Sequence, residues 1–149
     1  MGEDAGGWGH MAPGRFAQAV HALVLLARSP APATSAVLAG SVNTDAACLR
    51  KVLATLARAG LVEAFEGRDG GYRLTRAAAE ISLAEVYAAV SRAPLLPPNP
   101  AAANPRCPVS VAMGPALAEI AADAEARFQE ALARRTLADV ADNLDAAIR

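Results

Sequence analysis

Residues 48–74 run CLRKVLATLARAGLVEAFEGRDGGYRL, and the reading of this stretch decides the fold. Leu49, Val52, Leu53 and Leu56 fall at i, i+3, i+4 and i+7, the spacing of a helix that buries one stripe. At about 100° per residue, Ala47, Lys51, Ala54 and Arg58 point the opposite way, with Thr44 and Arg50 nearer the edges. The outward face is therefore small and basic. Thr44 is expected to cap this helix, Asp45 to suit its positive end, and Gly60 to close it in a left-handed conformation. Leu61–Phe65 then alternates enough for a strand. A Gly-rich loop over residues 66–71 and a second short strand over Tyr72–Thr75 complete a β-hairpin.

Upstream, Phe16, Ala19, Val20, Leu23, Val24 and Ala27 mark an amphipathic helix over residues 14–28. Ser29-Pro30-Ala31-Pro32 ends it, because proline cannot continue the backbone ladder. A short second helix fits Thr34–Ala39, capped by Thr34 or Ser35 and closed by Gly40, with Ser41-Val42-Asn43 as a tight turn. Downstream, Ser82-Leu83-Ala84-Glu85 has capping-box spacing and opens a helix to about Val90. Residues 92–108 are Pro-rich and form a linker or loop. A long helix from about Val109 carries Met113, Leu117, Ile120, Ala124, Phe128 and Leu132 as one apolar stripe, and Thr136 starts a last short helix ending near Ile148.

The fold class expected is mainly α with a small β-hairpin wing. It comprises a winged helix-turn-helix over residues 12–91, the 92–108 linker and dimerisation helices over 109–149. Residues 1–11 are Gly-rich and polar and are set apart as a disordered tail or a cloning remnant, with Met11 a candidate native start.

Composition agrees with a folded chain: 54% of its 149 residues are apolar and 19% charged. Much of the apolar content is alanine, and only six aromatics are present, which favours close helix packing and a partner chain that adds buried surface. The formal net charge of −1 hides an asymmetry. Residues 12–76 carry +4 and residues 77–149 carry −3, as a chain with one nucleic-acid-facing surface requires. No apolar run approaches the ~20 residues of a membrane span. Two widely spaced cysteines make no disulfide framework, so a reducing cytoplasm fits. No Ser/His/Asp or Cys/His arrangement, phosphate-binding glycine loop or metal-ligand cluster points to an enzyme.

A helix with a small basic face suits the major groove, and a wing bearing Arg68, with Arg73 and Arg76 behind it, suits the phosphate backbone. The partner expected is duplex DNA. The rival reading is a winged-helix protein-interaction module without DNA binding.

The pattern LRKxLxxLxxAGLV (from Leu49), GGYxL (from Gly70) and ISLxEV (from Ile81) resembles the Rrf2 family of bacterial regulators over nearly the whole chain, from about Arg15 to Leu144. Arg15-Phe16-Ala17, Ser41-Val42-Asn43-Thr44 and Asn104-Pro105-Arg106-Cys107-Pro108-Val109 look most like its YwnA-type branch. The resemblance implies a winged-helix homodimer, packed through the long C-terminal helices, that acts on a two-fold symmetric operator, most often as a repressor. It matches Thr44, Ala47, Arg50 and Lys51 to the reading helix and Arg68, Gly70 and Gly71 to the wing. Arg58 and Arg73 complete the expected DNA-binding set. Met113, Leu117, Ile120, Phe128 and Leu132 are the expected dimer seam.

Cluster-binding members of that family place three cysteines in the loop before the long helix, whereas this loop offers Cys107 alone. No iron–sulfur cluster or other cofactor is therefore expected. Cys48 and Cys107 are candidates for redox sensing. The plainer reading makes Cys48 a small semi-buried hydrophobe at the stripe's margin, while Arg50 and Lys51 nearby would favour its thiolate. The input is expected to be a redox or small-molecule signal. His21 reads as a core or interface histidine, and Tyr87 and Phe128 as residues able to line an effector pocket.

Overall fold

A computed structural model describes residues 14–149, so the tail expected over residues 1–11 lies outside the described residues. Six α-helices and one hairpin follow in the order α1 (Arg15–Arg28), α2 (Ser35–Val42), α3 (Ala46–Arg58), β1 (Val62–Phe65), β2 (Gly71–Leu74), α4 (Leu83–Val90), α5 (Pro108–Ala133) and α6 (Leu137–Ile148). A 3-10 turn at Ala78–Glu80 precedes α4. The chain forms two compact units, one of residues up to Arg92 together with Leu132–Arg149, the other Ala93–Ala131.

The first unit is built on α3. Leu49, Val52, Leu53 and Leu56 are buried as their spacing predicts, and they pack with Leu23 and Leu26 of α1, Leu38 of α2, Ile81, and Val86 of α4. The α1 stripe is rotated from expectation: Ala22 and Leu26 are buried while Ala27 is exposed. Alanine has little apolar area to assert, so larger neighbours set the rotation. The second helix runs on to Val42. Thr34 caps it, accepting from the Val37 N–H at 3.2 Å, and Gly40 is interior to it. Termination falls to Asn43, whose φ of 61° is the left-handed conformation that Asn tolerates. Thr44 does not cap α3. Asp45 does, its carboxylate accepting the Cys48 N–H at 3.0 Å.

The hairpin is antiparallel, with Val62 opposite Leu74, Glu63 opposite Arg73, Ala64 opposite Tyr72 and Phe65 opposite Gly71. A third segment joins it, since Ala33 and Tyr72 exchange backbone hydrogen bonds of 3.0 and 2.8 Å. The start of α4 is a full capping box between Ser82 and Glu85, and Thr136 with Asp139 repeats the device at α6.

Expectation grouped residues 137–149 with the long helix. Instead α6 belongs to the first unit: Leu137 is fully buried in its core, and its N–H donates to the Ile81 carbonyl at 3.0 Å. In the second unit α5 follows the Pro-rich stretch and is 26 residues long. Asn104 shapes its approach, accepting the Arg106 N–H at 3.0 Å through its side chain and the Cys107 N–H at 3.1 Å through its carbonyl. Val109, Val111, Met113, Leu117 and Ile120 are exposed along it, while Phe128 and Leu132 are half-buried.

Candidate nucleic-acid interface

Helix α3 presents what its sequence promised. Ala47, Arg50, Lys51, Ala54 and Arg58 are all exposed, whereas Thr44 is half-buried before the cap. Arg50, Lys51 and Arg68 take part in none of the ion pairs found among the described residues. Arg68 stands on the hairpin turn, where the two glycines after it have distinct geometric reasons. A Cβ on Gly70 would lie 2.3 Å from the Phe65 carbonyl oxygen, and one on Gly71, at φ 145°, would meet the Ala33 backbone at 2.6 Å.

Arg73 differs from expectation. Its Nε lies 3.2 Å from Glu63 across the hairpin, and its guanidinium sits 4.4 Å above the Phe65 ring. This cation–π and ion-pair contact commits the side chain to the wing itself. Arg76 is likewise taken, donating to Glu85 at 2.8 Å and to the Glu80 carbonyl at 2.9 Å. Glu85 is held below its ordinary pKa by hydrogen bonds from the Ser82 backbone and then from Arg76.

One arginine outside the expected set reaches α3. Arg15, in the first turn of α1, donates from Nη2 to Thr55 Oγ1 at 2.7 Å, and Arg58 donates to the same oxygen at 3.3 Å. Thr55, 8% exposed, donates in turn to the Lys51 carbonyl at 2.9 Å. Forty residues separate Arg15 from Thr55, and no periodicity links them.

Cys48 is exposed. The side chains of Cys48 and Asp45 are hydrogen-bonded, which raises the thiol above its ordinary pKa and, with the Cys48 backbone bond, lowers Asp45. Expectation had Arg50 and Lys51 favouring a thiolate. The carboxylate, being in direct contact, outweighs the more distant cations. Cys107 is half-buried and belongs to the second unit. His21 is exposed rather than in the core, its Nε2 3.1 Å from Ser41 Oγ. Tyr87 packs edge-on against Phe16 with ring centroids 5.7 Å apart. Phe16 also lines an apolar groove of about 410 Å³ with Val20, His21, Leu83, Val140 and Leu144.

The family model described as "Rrf2: Iron-dependent Transcriptional regulator" matches residues 13–143. The chain belongs to the Rrf2 family. It is 32% identical over 130 residues to YwnA of Bacillus subtilis, which its name places among HTH-type transcriptional regulators, covering 87% of this chain and 96% of YwnA. YwgB of the same organism, similarly named, is 41% identical over 75 residues, a match spanning about half of each chain (49% and 48%). Among solved structures, one described as a DNA-binding protein is 32% identical with a TM-score of 0.71, covering 85% of this chain and 97% of its own. IscR of T. potens, at 21% identity and a TM-score of 0.69 (95% and 93% covered), shares the fold. This Rrf2 protein is thus a transcriptional regulator of winged-helix type and not an enzyme.

The iron in the family description requires donors. Among the described residues no group of three or more His, Cys, Asp or Glu side chains is placed to hold a metal ion. The two cysteines lie in different units. Among the described residues, the donors present do not fit an iron centre within one chain. No helix among the described residues is long and apolar enough to cross a membrane.

Proposed function

We propose that this protein is a homodimeric, sequence-specific DNA-binding repressor of the cytoplasm that answers a redox or small-molecule signal. The observation that carries the reading is the outward face of α3, where Arg50, Lys51 and Arg58 are exposed together with Ala47 and Ala54. Small residues let the helix approach base edges, and the cations meet the phosphates on either side. Arg68, Gly70 and Gly71 extend this surface onto the wing. Arg73 acts indirectly, stiffening the hairpin through Glu63 and Phe65.

Dimerisation is assigned to α5, whose exposed Met113, Leu117 and Ile120 make a stripe that continues to Phe128 and Leu132. No resident iron–sulfur cluster is part of the proposal, because one thiol in the loop before α5 is too few. On the signal side, the Asp45 contact raises the Cys48 thiol above its ordinary pKa and so disfavours the thiolate. That favours a small molecule over direct oxidation at this position.

The test is a binding titration on the gene's upstream duplex at several salt concentrations, run reduced, oxidised and with both cysteines replaced. Arg50→Ala and Lys51→Ala are each expected to weaken binding and to flatten its salt dependence. Unchanged operator binding after loss of both side chains would refute the placement of α3. Absence of salt-sensitive binding to any duplex would leave the protein-interaction module as the better reading.

A further inference from the structure

We propose that residues 93–100, in the Pro-rich stretch ahead of α5, are a polyproline II ligand that docks into the aromatic-lined groove of another protein. The inference is independent of DNA binding.

The sequence leaves this backbone little freedom. Proline fixes φ at about −65°, and the residue before a proline is pushed to extended or polyproline II angles. Pro94, Pro97, Pro98 and Pro100 meet the first condition, and Ala93, Leu96 and Asn99 meet the second. Leu95 alone escapes both, and it is the residue that α5 holds: its N–H donates to the Glu125 carboxylate at 3.2 Å. Asn99 turns the chain after the run, its side chain accepting the Ala101 N–H at 3.0 Å. The stretch is therefore ordered in advance, and little conformational entropy is left to lose on binding.

Its surface selects the partner. A polyproline II turn takes about three residues, so Pro94, Pro97 and Pro100 fall along one edge. All of residues 93–100 are exposed, Leu95 and Leu96 included, and no charged residue occurs from 93 to 105. No carbonyl of residues 93–100 accepts a bond in the backbone hydrogen-bond network of the described residues. Such an edge calls for aromatic rings that pack on the prolines and for indole or phenol donors that reach the carbonyls, the mode in which PxxP segments are recognised. A spacer needs stiffness alone. It does not need prolines at every third position with leucines exposed between them.

The experiment uses the full chain and, as probes, purified isotope-labelled SH3 and WW domains, whose grooves are of this kind. Adding the unlabelled chain should shift amide signals around a probe's aromatic groove. Replacing Pro97→Ala and Pro100→Ala together should weaken that binding at least several-fold, whereas Pro105→Ala, outside the register, should leave it unchanged. Glu125→Ala frees Leu95 and should also weaken binding several-fold, because order must then be imposed by the probe. Melting temperature and duplex affinity should stay at wild-type values in the proline variants, which separates lost docking from lost folding. No probe shifted at its groove, or wild-type affinity in either the double proline variant or Glu125→Ala, overturns the proposal and leaves the segment a spacer. Neither outcome bears on the DNA reading.

Discussion

Replacing Gly71 by alanine is expected to cost far more than a single methyl group suggests. The added Cβ would stand 2.6 Å from the carbonyl carbon and oxygen of Ala33 and 3.0 Å from its nitrogen. These are backbone atoms, so no side-chain rotation relieves the overlap. The segment at Ala33 must separate from Tyr72, breaking backbone bonds of 3.0 and 2.8 Å worth about 1 kcal/mol each. The φ of 145° adds strain of about 1–3 kcal/mol for any residue with a Cβ. Together the loss is about 3–5 kcal/mol, a large share of the ~5–15 kcal/mol that holds an ordinary domain folded. Gly67 provides the control, because its φ is also positive, at 99°, but nothing lies within 4 Å of a Cβ there. Its alanine variant should lose only about 1–2 kcal/mol. Thermal melts of the three proteins at equal concentration separate the terms, with Gly71→Ala expected to fall by on the order of 10–20 °C. Equal melting of the two variants would show that the Ala33 contact does not constrain the wing.

Three further outcomes are expected. Asp45→Asn keeps a helix cap but removes the charge that raises the Cys48 thiol, so alkylation of Cys48 by iodoacetamide at pH 8 should accelerate; an unchanged rate would show that the carboxylate does not control it. Glu85 is lowered from its ordinary 4.5, so its contribution to stability is complete above pH 4.5 and is lost as pH falls through the lower folded value; Glu85→Gln should flatten that acid limb in urea titrations followed by pH, and an identical limb would refute the assignment. Ile120→Glu removes about 1.5–3 kcal/mol of burial from each protomer of a dimer joined through α5, so sedimentation should show dissociation at concentrations where the wild type is dimeric. A variant that stays dimeric would exclude the α5 seam.

What the sequence disclosed and what it concealed divide along physical lines. The α3 stripe was legible because four large side chains at helical spacing leave one solution. The choice between Thr44 and Asp45 as cap was not, since both are good acceptors and one residue of register separates them. Gly40 resembled a stop and is interior, because a helix tolerates one glycine at modest cost when its neighbours pack. The Glu63–Arg73 pair follows once the hairpin register is known, but several registers fit Leu61–Phe65 and Tyr72–Thr75. Ala33 sits in a Pro-flanked segment with no alternation, so its pairing with Tyr72 left no trace in the pattern. The amphipathic face of α6 was readable, but an apolar stripe does not state what it packs against. Leu137, buried beside Ile81, with Val140 and Ala141 packed against the same core, shows that it closes the first unit.

The charge asymmetry that first suggested a nucleic-acid partner is sharpened by these contacts. Three of the eight cations in residues 12–76 are committed to carboxylates: Arg28 to Asp145, Arg73 to Glu63 and Arg76 to Glu85. A side chain already paired releases few counterions on binding DNA. Arg50, Lys51, Arg58 and Arg68 take part in none of the ion pairs found among the described residues, which makes about four phosphate contacts per protomer. At about −0.9 per phosphate, a dimer on its operator should show a log–log salt slope near −7. Were all eight cations of each protomer engaged separately, the slope would approach −14. A titration between ~50 and 200 mM salt distinguishes the two, and a slope at the steeper limit would mean that the ion pairs seen on the wing and on α1 open when DNA binds.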